Sequence, residues 1–405
     1  MPTIQLAPRL FEYDGYKGSF SSWQDFGIWN YNLYEETNTF NAQRTGEILS
    51  LVKNSTTDAE KIKALYNYLK RSTRYVSIQL GIGGFKPFPV NFVDDKKYGD
   101  CKALTNYMRY LLKVAGIASY PALINAGYNK LPADVNFPAS VFNHVILCVP
   151  LKNDTVWLEC TSKNNECGIL GTFTEKKKAL LLTEKGGILI NTPASNYNNN
   201  ILTSKTIVLL DEEGGAATNS SFFYKGEFND FFEQMQQYSN DKRKWGFGEY
   251  LYFKNADEFQ TAGFDVTAST LHVTAGYQQL FDFKAGSKYF FKPKILKFSE
   301  AVAQQNENRQ SPYIFNYPYL KSDTTIYNLG RYFAVESLPA KKIIKNEYAV
   351  YEQDVQYNSA DSTITTITTF ILKHNIIPSK NYKELAAFFS EMNQMEHNKI
   401  VIKKL

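Results

Sequence analysis

Three residues of this chain, Cys101, His144 and Glu159, have the side-chain types and the order that nucleophilic chemistry needs. A cysteine thiolate can attack a carbonyl carbon, and an imidazole can exchange the proton and pair with the thiolate. A carboxylate on the far side of the imidazole selects its tautomer and stabilises its charged form. Such a set works only if the surrounding elements bring the three side chains together.

Cys101 stands at the predicted start of a buried helix. Asp100 is a good N-cap, because its carboxylate can accept a hydrogen bond from an unpaired helical N–H. Apolar residues then recur at helical spacing, as far as a stop at Gly116: Leu104, Tyr107, Met108, Leu111, Leu112 and Ala115. The positive end of a helix favours a thiolate, whereas the neighbouring Asp100 charge opposes it. The alternative is that Cys101 is an ordinary small buried residue.

His144 and Glu159 lie in two predicted strands that could form a hairpin. If the chain turns between Leu151 and Lys152, the two side chains stand opposite each other on one face, close enough to interact. Asn153-Asp154 is a competing turn site and would shift the pairing. Without this contact, His144 would be an ordinary core histidine and Glu159 a strand-edge carboxylate facing water.

Acyl chemistry also needs a hydrogen-bond donor for the oxyanion. The backbone N–H of Cys101 is one candidate, and the side-chain amide of Gln79 is another. The alternative for Gln79 is an exposed residue of a strand, the usual place for a polar side chain of this kind.

The predicted elements around these residues mix helices and strands. Aromatic residues between Trp23 and Tyr34 indicate a helix, and a second helix begins at Thr57, which has capping-box spacing with Glu60. A turn-rich loop over 81–89 leads toward the Cys101 helix, and a long loop over 126–140 follows it. The strands predicted in this part of the chain are 74–80, 119–125, 143–149, 155–160 and 179–183.

A polar, asparagine-rich segment over 192–200 marks a linker, so two domains are predicted, 1–196 and 197–405. The second is rich in alternating strands and indicates a β-sandwich-type module with helical insertions. Its predicted helices are 229–243 and 382–392. Its predicted strands are 206–210, 220–228, 271–275, 348–357, 363–373 and 399–403.

Composition excludes several classes of function. The net charge of +5 comes from 45 basic and 40 acidic residues that are spread along the chain, so nucleic-acid binding is not expected. No apolar run is long enough to span a bilayer, and residues 1–5 lack the start of a signal peptide. The four cysteines fit no zinc pattern and no calcium loop is present, so neither a metal nor a cofactor is expected. A bridge among Cys148, Cys160 and Cys167 stays open.

Several motifs in the first half resemble the bacterial transglutaminase-like superfamily, most closely the Bacteroidetes proteins labelled transglutaminase-like cysteine proteases. The resemblance covers roughly residues 40–195. Its motifs are RYVSIQLGIGG at 74–84, YGDCK at 98–102, Gly116-Ile117 with PALI at 121–124, Asn143-His144, and WLECT at 157–161. The second half resembles the β-rich domain of unknown function that follows the core in those proteins.

The resemblance implies an α+β chain with a papain-like core, in which Cys101 is the nucleophile, His144 the base and Glu159 the third member of the triad. Asp is commoner in that third position, and Glu is longer by one methylene. Family members usually carry a signal sequence and a further N-terminal β-domain. The resemblance therefore implies that this chain is an excised part of an exported, periplasmic or extracellular protein.

These inferences lead to one principal hypothesis and one alternative. The principal hypothesis is a cysteine-dependent acyl-transfer enzyme, a hydrolase of the protease or peptidase type or a transglutaminase, acting on peptide or isopeptide amides of a protein or peptide partner. The alternative is a non-catalytic envelope binding or scaffold protein that retains the fold. A nucleotide or nucleic-acid enzyme is disfavoured, because the chain has no phosphate loop and no basic stripe.

Overall fold

The chain combines helices with several β-sheets, so the α+β prediction is confirmed. The computed structural model describes residues 4–35, 40–128, 130, 132–163, 165–265, 268–298 and 309–405. Two compact units are present, Met1–Ala194 (unit 1) and Ser195–Leu405 (unit 2). The division falls within the polar segment 192–200, two residues before the predicted boundary.

Unit 1 contains the residues with candidate chemistry. Its helices are α1 (Trp23–Glu35), α2 (Ala42–Leu51), α3 (Asp58–Ser72), α4 (Val90–Lys96) and α5 (Cys101–Val114). Its strands are β1 (Leu10–Tyr13), β2 (Tyr16–Ser19), β3 (Arg74–Tyr75), β4 (Tyr98–Gly99), β5 (Tyr120–Ile124), β6 (His144–Pro150), β7 (Thr155–Leu158), β8 (Lys178–Thr183) and β9 (Gly186–Asn191).

An antiparallel sheet in the order β7-β6-β5-β8-β9 forms the frame of unit 1. Helix α5 packs on one face of it, where Leu111 of the helix joins Leu147 and Leu158 in one buried cluster. Helix α1 packs on β8 and β9. This approach is so close that a Cβ on Gly27 would lie 2.0 Å from the backbone nitrogen of Gly187. Both helices are therefore fixed against the sheet that carries His144.

The helix starts follow from local sequence chemistry. The side chain of Thr57 accepts a hydrogen bond from the Glu60 N–H and the Glu60 carboxylate accepts from the Thr57 N–H, which confirms the predicted capping box of α3. The Asp100 carboxylate accepts from the Ala103 N–H at 3.0 Å, which confirms it as the N-cap of α5. Gly116 follows the end of α5 with a φ of +79°, the left-handed conformation that glycine adopts readily.

The predicted hairpin register was wrong by two residues. Strands β6 and β7 pair Leu147 with Leu158, and the turn is closed by a hydrogen bond from the Leu151 N–H to the Asp154 carbonyl. The predicted turn between Leu151 and Lys152 would have placed His144 opposite Glu159. Because a shift by two residues keeps every side chain on its own face, the error does not separate the two groups.

The predicted strand over 74–80 was also wrong beyond Tyr75. Its partner is the two-residue strand β4, which runs parallel to β3 and ends where Asp100 caps α5. After one further backbone bond, from the Val76 N–H to the Gly99 carbonyl, no partner strand continues, and the chain leaves the ladder before Gln79. The hairpin of β1 and β2 and the helices α2 and α4 were not predicted.

Unit 2 is dominated by strands. Its helices are α6 (Phe228–Gln236), α7 (Asn240–Leu251) and α8 (Tyr382–Glu396). Its strands are β10 (Ile201–Leu210), β11 (Ala216–Lys225), β12 (Glu258–Asp265), β13 (Thr270–Tyr277), β14 (Phe283–Ala285), β15 (Lys288–Phe291), β16 (Tyr313–Ile314), β17 (Tyr319–Asn328), β18 (Phe333–Ser337), β19 (Lys342–Lys345), β20 (Ala349–Asn358), β21 (Thr363–Leu372), β22 (Ile376–Ile377) and β23 (Ile400–Lys404).

Two sheets share the core of unit 2. The larger has the order β12-β13-β11-β10-β17-β21-β20-β19, and the smaller has the order β14-β15-β23-β18. The rings of Phe291 in β15 and Tyr327 in β17 lie 4.9 Å apart, so the two sheets pack together. The single helix predicted over 229–243 was wrong, because the chain breaks at residues 237–239 and forms α6 and α7 instead.

No helix in the described parts of the chain combines the length and the apolar character that crossing a bilayer requires.

Candidate active site

The candidate site of unit 1 forms where α5 begins beside the start of β6. Cys101 is the first residue of the helix and His144 the first residue of the strand. The hydroxyl of Thr105, one turn into α5, donates a hydrogen bond to the carbonyl of Val145 at 3.2 Å. The helix and the strand are thus linked directly next to the two side chains.

The imidazole of His144 lies between a carboxylate and a thiol. Its Nε2 is 2.9 Å from Oε2 and 3.1 Å from Oε1 of Glu159. The Cys101 thiol borders the same cavity as the imidazole and contributes to raising the pKa of His144. Because Nε2 faces Glu159, the nitrogen available to Cys101 is Nδ1. The ring of Phe173 packs on the imidazole with a centroid distance of 5.8 Å. These contacts hold the imidazole of His144 in one orientation.

Glu159 is a buried carboxylate whose partners are fixed. It is 0% exposed, so the strand-edge alternative, in which it faces water, is wrong. Thr161 donates to Oε1 twice, from its backbone N–H at 3.1 Å and from its hydroxyl at 2.5 Å. Burial alone would raise the pKa of Glu159, but His144 and the Thr161 hydrogen bonds hold it below the ordinary value. Glu159 is thus an anion at neutral pH.

The same contacts act on His144 in the opposite sense. Burial alone would lower the pKa of the imidazole, but the Glu159 carboxylate, together with the neighbouring Cys101 thiol, raises it to about 10. His144 is therefore a cation at neutral pH, next to the thiol. An imidazolium in this position stabilises a thiolate.

Asp100 does not present an uncompensated charge to Cys101. Its carboxylate caps α5, and its other oxygen lies 2.5 Å from the ammonium of Lys102, which is itself 4% exposed. The sequence predicted that the Asp100 charge would oppose a thiolate on Cys101. In the structure, the ion pair with Lys102 balances that charge.

A small cavity lies beside Cys101, with a volume of about 80 Å³. Its apolar wall contains Phe26 from α1, Phe85 and Phe142, and polar side chains reach it from Gln79 and Asn30. Cys101, His144 and Gln79 thus border one cavity, and Glu159 lies behind the imidazole. Gln79 is exposed and outside any strand.

Two supporting residues had no role assigned from the sequence. Thr161 orients the carboxylate, and the side chain of Asn143 exchanges hydrogen bonds with the backbone of Ala126 at 2.7 and 3.0 Å. The latter contacts fix the chain entering β6. Asn143 directly precedes His144 in the sequence, and Thr161 follows Glu159 by two positions. That proximity is a signal, because Thr and Asn side chains commonly bond nearby backbone groups.

The remaining cysteines are isolated thiols. Cys148, Cys160 and Cys167 form no disulfide, and the bridge left open by the sequence is absent among them. In the described residues, no group of three or more His, Cys, Asp and Glu side chains is arranged to hold a metal ion.

A family model matches only part of unit 2, whereas a solved structure is similar in fold over most of the chain. Residues 287–402, within unit 2, match DUF3858, a domain of unknown function with a solved structure. No curated protein matches the chain. A crystal structure described as a "putative protease" from Parabacteroides distasonis ATCC 8503 is similar in fold, with a TM-score of 0.53 and 11% sequence identity. The similarity covers 94% of this chain and 59% of that chain.

Proposed function

We propose that unit 1 is a papain-like, transglutaminase-like core that catalyses cysteine-dependent acyl transfer from peptide or isopeptide amides. The observation that carries the proposal is that Cys101 and His144 border one cavity while the imidazole Nε2 lies 2.9 Å from the buried Glu159 carboxylate. The fold similarity to a crystal structure described as a "putative protease" agrees with this class of chemistry, but at 11% identity it supports only the fold.

The proposed reaction has two halves, in which Cys101 is first acylated and then deacylated, and His144 acts first as an acid and then as a base. The Cys101 thiolate attacks the amide carbonyl carbon, and the tetrahedral intermediate collapses when the His144 imidazolium gives its proton to the leaving amine. The C–N bond breaks and a thioester remains on Cys101. His144, now neutral, takes a proton from water, whose oxygen attacks the thioester carbon. The C–S bond then breaks, which releases a carboxylic acid and returns the Cys101 thiolate beside the His144 imidazolium. If an amine attacks instead, the product is a new amide.

The other groups prepare these steps. The Cys101 backbone N–H, at the start of α5, and the Gln79 side-chain amide are the proposed donors to the oxyanion. Glu159 holds the imidazole so that Nδ1 faces the sulfur and keeps the cationic form stable. The apolar wall of the cavity lowers the local dielectric and strengthens both effects.

One observation favours the alternative, a non-catalytic binding or scaffold protein. Cys101 is only 4% exposed, and the cavity beside it is small. A scaffold that keeps the fold would need no open path to the sulfur. An export origin, periplasmic or extracellular, is a further prediction that rests on the family resemblance alone.

A hydrolysis assay separates the two candidates. Cleavage of fluorescein-labelled casein and of a mixed peptide library is measured for the native chain, for Cys101→Ala and for Cys167→Ala. We expect cleavage that falls by at least about a thousandfold in Cys101→Ala and is unchanged in Cys167→Ala, a half-buried thiol outside the site. Labelled amines added to the same reactions detect transamidation. Equal residual activity in all three proteins would overturn the proposal.

A further inference from the structure

We propose that unit 2 holds a binding site for a small anionic group, a phosphate or a carboxylate, in a cavity lined by lysines. The cavity has a volume of about 170 Å³. Four lysines and two carboxylates line it: Lys254, Lys292, Lys294, Lys297, Asp282 and Glu396. The site is separate from the proposed acyl-transfer chemistry and shares no residue with it.

One lysine of the cavity is built deeply into the core. Lys294 is 7% exposed, and its ammonium lies 2.5 Å from Oε1 of Glu396. The hydroxyl of Tyr351 donates to the same oxygen, and the ring of Phe298 lies 3.9 Å from the ammonium. Burying a charged pair this completely removes the hydration of both ions and is seldom justified by stability alone. The two charges of the pair cancel, so any surplus positive charge of the cavity comes from its other lysines.

The carboxylates of the cavity do not balance its lysines. Four lysines and two carboxylates line it, which leaves a net charge of +2. Asp282 is also shared, because it pairs with Lys254 at 3.3 Å and with Lys399, which lies outside the cavity lining. Among the described residues, neither Lys292 nor Lys297 forms an ion pair. The excess positive charge therefore faces the cavity.

The lysines also act on one another. Burial lowers the pKa of Lys254, and the charges of Lys292 and Lys399 lower it further, against the opposing effect of Asp282. Like charges held together in a partly desolvated cavity repel one another, and a bound anion stabilises the cavity by offsetting this repulsion. Ammonium groups bind phosphate and carboxylate oxygens through charge-assisted hydrogen bonds, which names the class of ligand.

Most of the cavity lining lies in the part of the chain that matches DUF3858. Lys292, Lys294 and Lys297 fall within residues 287–402, the region that matches DUF3858, whereas Lys254 precedes it. The three lysines occupy alternate or near-alternate positions in a short segment after β15. The proposal thus assigns an anion-binding role to part of the region that matches DUF3858.

Isothermal titration calorimetry of the full chain tests the site, with inorganic phosphate and acetate as separate probes at constant ionic strength set with sodium chloride. We expect saturable binding of at least one probe, weakened at least tenfold in Lys292→Gln/Lys297→Gln. Both lysines are half-buried and outside the ion pairs, so the variant should fold. Lys205→Gln/Lys383→Gln removes two exposed lysines elsewhere in unit 2 and should bind like the native chain.

The two probes distinguish the sources of the anion. Binding of phosphate alone would indicate a phosphoryl ligand, and binding of both would indicate a site that also takes carboxylates. Cys101→Ala should bind equally well, which keeps this proposal independent of the acyl-transfer proposal. No saturable heat with either probe, or equal affinity in Lys292→Gln/Lys297→Gln, would overturn the site.

Discussion

Each unit of this chain buries an ion pair at the wall of a cavity, and the two pairs suit different tasks. In unit 1, His144 and Glu159 lie against a thiol, and the imidazole can give or take a proton. In unit 2, Lys294 and Glu396 lie against a tyrosine and further lysines, with no cysteine among the residues that line the cavity. The two proposals therefore assign the same arrangement of buried opposite charges to proton transfer in unit 1 and to anion binding in unit 2.

The two pairs differ in the neighbours that they contact. Glu159 accepts hydrogen bonds from His144 and Thr161, and because it binds Nε2 of the imidazole, Nδ1 is left to face Cys101. Glu396 is shared between Lys294 and Tyr351, and the surplus charge comes from other lysines of the cavity. Substitutions in the two pairs should therefore change different measurements.

The largest effect should come from Glu159→Gln, which keeps the shape of the side chain but removes its charge. We expect kcat/KM for amide cleavage to fall by tens- to thousands-fold, because the imidazolium loses its stabilising anion. Glu396→Gln is the matched control in the other pair. It should destabilise unit 2 by about 3 kcal/mol, since a buried charge loses its partner, and leave kcat/KM unchanged.

A normal rate in Glu159→Gln would mean that the acid is unnecessary or lies elsewhere. An equal loss of rate in Glu396→Gln would mean that the two pairs are not functionally distinct.

A smaller effect should follow Thr161→Val, which removes the hydroxyl that donates to Glu159 and keeps the backbone N–H. We expect kcat to fall about tenfold, the usual range for losing one hydrogen bond to a charged group. The acidic limb of the pH profile should also shift upward, because Glu159 becomes easier to protonate. Thr161→Ser keeps the hydroxyl and should restore both values, whereas a purely structural role would leave the pH profile in place.

The smallest effect is on the pH dependence of stability. The pKa of His144 rises from 6.5 to about 10 on folding, so its contribution is fully present below pH 6.5 and is lost as the pH rises through about 10. Burial lowers the pKa of Lys294 below 10.5 even though Glu396 opposes the shift, so its trend is opposite: the charged lysine costs stability at neutral pH, and this cost is relieved as the pH rises toward 10.5.

Urea unfolding at pH 6.5 and pH 9.5 measures the first of these trends. Three of the four tryptophans, Trp23, Trp29 and Trp157, lie in unit 1, so Trp245→Phe makes fluorescence specific for that unit. In this background the free energy of unfolding of unit 1 should fall between the two pH values. His144→Gln should remove most of the decrease. An unchanged slope in His144→Gln would show that the imidazole is not the group responsible.

The sequence predicted the site of unit 1 better than the site of unit 2. Cys101 and His144 belong to residue types that occur only four times each, and a helix cap and strand alternation locate them. The hairpin register was missed by two residues because two turn sites compete between Leu151 and Asp154. The contact survived because a shift by two residues preserves the face of each side chain.

The cavity of unit 2 carries no comparable signal. Its lysines are four of many along the chain, and Lys254 and Lys294 meet only after α7 and the segment following β15 have folded together. The strand predicted over 74–80 failed for a related reason, since its length depends on β4, a partner that ends at the cap of α5. Neither outcome is encoded in the local residue pattern.

The reactivity of Cys101 tests the central claim most directly. Burial raises the pKa of Cys148 to about 12, and burial also raises the pKa of Cys160 and of Cys167. Cys101 alone has the start of a helix and an imidazolium to stabilise its thiolate. Brief alkylation with iodoacetamide at pH 6.5, followed by peptide mapping, compares the four thiols in one sample.

We expect Cys101 to react at least about tenfold faster than each of the other three, and His144→Ala to lose most of this advantage. His272→Ala, which removes a histidine of unit 2, is the control and should leave it intact. A Cys101 that reacts no faster than the other thiols, with no effect of His144→Ala, would contradict the account of unit 1 as a cysteine-dependent enzyme.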